Sequence, residues 1–287
     1  MSILAFLNML FLKVIGFILS ILLVWTVPPQ LGKTTFEPED EAGLKLQASV
    51  VSDVHMQSFE YTGFQELSKT LRDIAASKVK QDALVFVGDN TMNGQSFEYL
   101  MFYGILSHYN KVSARNTLVT MGNHEFFAPA SDQAAIDRHN FFLQSYNGTK
   151  NDTAYYSQKI KGYTFIILGE DDTDEQAAWL DDTMAAAEAG KPVFVFAHEP
   201  FYDTAALEGF PDVFLFNGHW HTPLDVWDDG GITRVNLPGL HSHEGGEYAG
   251  EGVQLEVYAD KVVFRGRNYM KGEWLGEDDV YEIMLTP

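Results

Sequence analysis

The 287 residues carry 40 acidic and 19 basic side chains, a formal charge of −21 that repels a phosphate backbone and argues against bulk nucleic-acid binding. Hydrophobic content of 46% with 21% charged marks a globular chain, long enough for one large catalytic domain with a well-buried core or for two smaller domains. Cysteine is absent, which excludes disulfides and thiolate metal sites and leaves His, Asp, Asn and Glu as ligand types, a set suited to Mn, Fe or Zn.

In chain order, residues 3–27 are almost wholly apolar with Lys13 as the single charge, and Pro28-Pro29 closes the run. Val14 to Val27 has the length of a signal-peptide core, but no small-x-small cleavage site follows, so residues 1–29 read as an uncleaved single-pass membrane anchor. A bilayer takes roughly 17–25 apolar residues, so the transmembrane helix has to recruit Ile3 to Leu12 and take Lys13 inside. Its N-terminal, signal-like position puts the following domain outside the cytoplasm. Residues 30–44, with Pro38 and the cluster Glu37, Glu39, Asp40 and Glu41, are expected to form a solvated linker, which leaves 45–287 as the folded domain.

From there strands and helices alternate. Leu46 to Val51 is an apolar run ending in Ser-Asp-Val-His, and Phe64, Leu67, Leu71 and Ile74 follow at helical spacing. Ala83 to Val87 ends in Gly-Asp-Asn, Phe97 to Leu106 reads as a helix, and Thr117 to Met121 ends in Gly-Asn-His-Glu. This is βαβ order, in which polar ligands collect at the carboxyl ends of strands. Tyr155 to Ile160 and Tyr163 to Leu168 read as a hairpin across Lys161-Gly162. Glu175 to Ala189 reads as a helix stopped by Gly190, Val193 to Ala197 as a strand before His198, and Val213 to Phe216 as another before Gly218-His-Trp-His. Three terminal strands are expected over 232–237, 253–258 and 262–267.

His219 and His221, one residue apart at the mouth of a strand, share a face as a pair of metal ligands does. Asp53 and His55, Asp89, Asn123 and His124, and His198 stand at four other strand ends. In that order, Asp-x-His, Gly-Asp, Gly-Asn-His-Glu, a lone His and Gly-His-x-His resemble the calcineurin-like metallophosphoesterase superfamily, and all five blocks lie between Asp53 and His221.

The resemblance implies an α/β fold, a four-layer α/β/β/α sandwich, with two divalent metal ions (Mn, Fe or Zn) at one sheet edge. It gives Asp53, His55 and His221 to the first ion, Asn123, His198 and His219 to the second, and Asp89 to both. It makes His124 the non-ligand histidine that protonates the leaving alkoxide or stabilises the phosphate charge, with Glu125 as a candidate for orienting the imidazole. The activity it implies is hydrolysis of a small phosphomonoester or phosphodiester by metal-bound hydroxide. A catalytically silent binding protein of the same fold and a hydrolase of non-phosphate esters are the rival readings, and the intact ligand set argues against the first. Two subgroups fit poorly: purple acid phosphatases place a tyrosine where this chain has Met92, and protein Ser/Thr phosphatases lack Gly-His-x-His. Asn90 stands where the family more usually has an apolar residue. His241 and His243 could line the substrate side of the cleft but are taken first as ordinary loop residues.

Overall fold

Two β-sheets stacked face to face form the centre of the molecule. They are seen in a computed structural model that describes residues 7, 8, 10–15, 18, 34–58, 60–148, 150–170, 173–200, 205–241 and 248–287. The first half of the chain alternates β1 (Leu46–Val51), α1 (Thr62–Ala75), β2 (Ala83–Val87), α2 (Ser96–Tyr109), β3 (Thr117–Thr120) and α3 (Asp132–Asn147). Next come the hairpin β4 (Tyr156–Ile160) and β5 (Tyr163–Ile167), α4 (Asp174–Ala185), β6 (Val193–Phe196) and β7 (Val213–Asn217). The chain ends in strands: β8 (Asp225–Asp229), β9 (Ile232–Asn236), β10 (Glu251–Val257), β11 (Lys261–Asn268), β12 (Glu273–Trp274) and β13 (Val280–Met284).

One sheet has the order β12-β11-β10-β1-β2-β3 with β13 also paired to β11, and the other the order β4-β5-β6-β7-β9-β8. The site-bearing strands β1, β2 and β3 are mutually parallel, as are β5, β6, β7 and β9. Alternation along the strands separates the layers. Val50, Val85 and Val87 face Phe165, Phe194, Phe196, Phe214 and Phe216 between the sheets, all without accessible surface. The opposite face of the first sheet, through Val51, Leu84, Phe86 and Val119, packs on Phe64, Leu67, Phe102 and Leu143 of the three helices. Ile166, Val195 and Leu215 of the second sheet cover Leu180 and Met184 of α4. The result is the expected α/β/β/α order of layers. Burying each such side chain contributes about 1.5–3 kcal/mol.

Two expectations change. Residues 34–44 do not form a free linker: Phe36 is buried against Tyr269 and Trp274, and the Arg267 guanidinium lies 4.3 Å over its ring. Arg267, itself inaccessible, donates from Nε and Nη2 to Asp73 of α1 at 2.6 and 2.9 Å, so this stretch covers a buried ion pair joining helix to sheet. An aromatic residue among acidic ones is enough to anchor a segment that composition alone makes look solvated. Second, α4 stops at Ala185, four residues short of the expected Ala189.

The expected anchor lies largely outside the described residues. Residues 7, 8, 10–15 and 18 are helical; Leu12 is buried and Asn8 Nδ2 donates to Ser145 Oγ of α3 at 3.3 Å. Among the described residues no helix is long and apolar enough to cross a membrane, so a transmembrane helix finds no support in them.

Candidate metal centre

Every site residue expected from the sequence sits at the carboxyl edge of the two sheets, on the loops that leave β1, β2, β3, β6 and β7. Asp53 (φ 55°), His55 (φ 46°), Asp89 (φ 47°), His219 (φ 71°) and His221 (φ 51°) all take left-handed backbone conformations. Such φ values are uncommon for residues with a side chain and cost of order 1–2 kcal/mol each. They break the strand direction at once and turn the side chains into one space.

In that space Asp53, His55 and His221 bring ligand atoms together: His221 Nε2 lies 3.1 Å and His55 Nε2 3.7 Å from Asp53 Oδ1. The two imidazole nitrogens are 3.2 Å apart. A second group contains Asp89, His198 and His219, with His198 Nε2 3.2 Å from Asp89 Oδ2 and Asn123 Oδ1 3.1 Å from His219 Nδ1. Asp89 Oδ2 also lies 3.8 Å from His55 Nε2, so this carboxylate stands between the groups. His124 Nε2 is 3.8 Å from the same oxygen, and the distances alone admit it as a ligand as well.

The donors fit divalent cations. Asp53 Oδ1 and His198 Nε2 are buried yet make no hydrogen bond of ordinary geometry, an expensive state for polar atoms unless a further partner binds them. His198 Nδ1 donates to the Val87 carbonyl at 2.9 Å, which leaves Nε2 as the nitrogen that would ligate, and the Asp53 carboxylate is oriented by the His219 backbone N–H at 3.2 Å. Burial alone would raise the carboxyl of Asp53, but His221, His55 and His198 outweigh it and hold it well below the usual range. At Asp89 the same contest is won by His198. Burial alone would lower His198, but the two carboxylates outweigh it and raise it well above its ordinary value, and the close approach of Asp53 raises His221. Burial lowers His55. The charge pattern is that of carboxylates borrowing protons where cations would sit.

The supporting shell differs from expectation at Glu125. It is fully buried and accepts from the Thr91 N–H (2.8 Å), the Thr91 hydroxyl (2.8 Å) and the Gly122 N–H (2.7 Å), tying the loop after β3 to the loop after β2. Burial, with help from Asp89, raises its carboxyl to about 8. The His124 imidazole is oriented instead by the Met92 carbonyl, 2.8 Å from Nδ1. Asn90 donates to the Thr120 carbonyl at 2.7 Å, another tie between the same loops.

Beside the centre opens a cavity of about 310 Å³ whose wall includes His55, His124, Trp220, His221, His241 and Tyr248. His241, taken from sequence as a loop residue, is therefore part of the cleft; His243 lies outside the described residues. The signal was missed because its partner, Glu66 on α1, is 175 positions away, with Oε2 2.8 Å from His241 Nδ1.

Two carboxylates, one amide and five imidazoles converging on one edge of stacked sheets constitute a candidate two-metal centre. A family model described as calcineurin-like phosphoesterase matches residues 49–223, and the chain belongs to that family. No curated protein matches the chain in sequence. Among solved structures, a dimetal phosphatase from Danio rerio is similar over 85% of this chain and 100% of its own, at 14% identity and a TM-score of 0.61. A purple acid phosphatase from yellow lupin seeds is similar over 83% of this chain and 53% of its own, at 14% identity and a TM-score of 0.57. At these identities the two structures support the fold.

Proposed function

We propose that the protein is a metal-dependent phosphoesterase that hydrolyses a small phosphomonoester or phosphodiester at the Asp53–His221 edge. The observation that carries this reading is the convergence of Asp53, His55, Asp89, His198, His219 and His221 in two ligand groups that share the neighbourhood of Asp89. Asp53, His55 and His221 would hold the first ion, Asn123, His198 and His219 the second, and Asp89 would serve both. When bound, two divalent cations clamp the phosphoryl oxygens and lower the pKa of a water.

The chain's own contribution is placement. Glu125, Thr91 and Asn90 lock the loops carrying Asp89 and Asn123 to each other, so the donors are held before anything binds. His124, with Nδ1 committed to the Met92 carbonyl, turns Nε2 towards the site and gives a proton to the leaving alkoxide. The cavity lies in the size range of small-molecule sites, which favours a small ester over a protein substrate.

The test is a panel of phosphomonoesters, phosphodiesters and carboxylic esters, assayed on the metal-free protein with Mn²⁺, Fe²⁺ or Zn²⁺ restored. Turnover of a phosphoester that depends on added metal is expected; metal-dependent turnover of carboxylic esters alone would replace this reading with a different hydrolase.

We also propose attachment to a membrane through the N-terminal run, with the domain outside the cytoplasm. What supports it is the apolar composition of residues 3–27 and the exposure of Leu7, Leu10, Phe11, Val14 and Ile18 on the described helical residues. Protease shaving of intact cells should remove the domain; protection until permeabilisation would reverse the orientation.

A further inference from the structure

One buried polar pair in the cleft wall is not used by metal binding or by the proton donor. Glu66 (5% exposed) and His241 (8% exposed) are joined at 2.8 Å through Oε2 and Nδ1. The histidine is held from three directions. Its backbone N–H donates to the Asp53 carbonyl at 2.9 Å, the neighbouring Leu240 N–H donates to the Ser52 carbonyl at 2.9 Å, and Glu66 fixes the ring. Gly239, which begins this stretch, is packed so closely that a β-carbon there would stand 2.9 Å from His221 Nδ1. The ring of His241 thus rides on the same backbone as the first ligand group, with its centroid 5.9 Å from that of His55. The ring centroid of His124 lies 4.5 Å from that of His55.

A carboxylate placed behind an imidazole fixes which nitrogen faces it and how the ring is turned. Here Nδ1 faces Glu66 and the ring lines the cavity, so a substrate oxygen meets it at Nε2. A preorganised N–H donor beside a two-metal centre that attracts anions has an evident purpose, because a phosphoryl group held by two cations still has an oxygen to be gripped.

On the phosphoesterase reading above, we propose that Glu66 and His241 form a phosphoryl-binding pair. His241 Nε2 donates to a non-bridging oxygen of the bound phosphoryl group on the first-metal side, and Glu66 is the positioning residue that holds the imidazole. This role is distinct from that of His124, which acts on the leaving oxygen. The two differ in a measurable way: a donor to a non-bridging oxygen serves good and poor leaving groups alike, whereas a proton donor matters most for poor ones.

The experiment uses the full chain loaded with Mn²⁺ and compares wild type, His241→Leu, His241→Gln and Glu66→Gln. Inhibition or direct binding of inorganic phosphate is measured beside kcat and KM on aryl phosphoesters of graded leaving-group pKa. His241→Leu should keep its metal content, weaken phosphate binding by roughly tenfold to hundredfold, and lose kcat/KM by the same factor across the series, as expected for a lost hydrogen bond to a charged group. His241→Gln, which retains an N–H donor, should recover part of the loss. Glu66→Gln should show a smaller loss of the same pattern, and it carries the test if the leucine variant does not fold. Unchanged phosphate binding in folded, metal-loaded His241→Leu would overturn the pair's role. Loss of a metal ion would make His241 a ligand, and a loss that grows with leaving-group pKa would make it the proton donor; either result refutes the proposal. Phosphate binding is read independently of turnover, so a wild type inactive on phosphoesters would remove the proposed function while the binding arm still decided on the pair.

Discussion

Replacing Gly122 by alanine puts a single methyl group where the loops after β2, β3 and β6 meet. A β-carbon built there stands 2.5 Å from the Asp89 backbone nitrogen and 2.7 Å from His198 Cδ2, and closer still to Asp89 Oδ1, whereas ordinary contact begins near 3.4 Å. Relief requires a displacement of about 1 Å, and neither neighbour yields easily: one is backbone, and the other is an imidazole fixed by Val87. Constellations of this kind work within about 0.5 Å, and a misplacement of about 1 Å costs on the order of 10²-fold in rate. Gly122→Ala should therefore fold, lose about 1–3 kcal/mol of stability through overpacking, and fall about 10²-fold in kcat/KM at saturating Mn²⁺. Gly148→Ala is the control: it ends α3 at φ 80° with open space around it, so about 1–2 kcal/mol of backbone strain is the whole expected effect. Activity is assayed beside urea unfolding and metal content. A Gly122→Ala enzyme within about threefold of the parent would refute the claim that Asp89 and His198 must stand where they do.

Asp89→Asn should abolish activity and lower metal content at both sites, because a neutral amide cannot balance two dications; elemental analysis showing two ions per chain with normal turnover would displace it as the bridge. His124→Ala should keep both ions and lose roughly 10²–10⁴-fold in rate, less for a nitrophenyl ester, and loss of an ion would make it a ligand instead. Metal affinity should strengthen from pH 6 to pH 8, since His198 and His221, raised by the carboxylates, must release protons before ligating; titration calorimetry in two buffers checks the proton release. His139 is completely buried, and burial lowers it from 6.5 to about 4. Its contribution is complete above pH 6.5 and is lost as pH falls towards 4, worth about 3 kcal/mol, so unfolding curves at pH 7 and pH 4.5 should converge in His139→Phe.

Much of the architecture was legible because the strands carrying the site are buried on both faces. Continuous apolar runs such as Ala83–Val87 and Val213–Phe216 end abruptly in polar motifs, and the run and its motif identify each other. The edges were harder. β8 is largely exposed and acidic, and β13, although apolar in four of its five residues, has none fully buried and directly follows the acidic Glu277, Asp278 and Asp279. Glu125 shows the limit for single residues: three donors from two loops define its role, and no spacing along the chain encodes them. The pairing of Glu66 with His241 was invisible for the same reason.

Among the described residues, five of the seven non-glycine residues with positive φ are ones assigned here to the metal ions. A glycine at any of these positions would relax the backbone, so each side chain is retained against a standing thermodynamic pressure to lose it. His219→Gly, which removes a partly exposed ring and no buried carboxylate, should consequently yield a protein that binds metal poorly and resists urea better than its metal-free parent. Loss of function in this fold is then a downhill step in stability. A descendant freed from catalysis would drift towards glycine at these five places first, leaving the sheets intact and the edge silent.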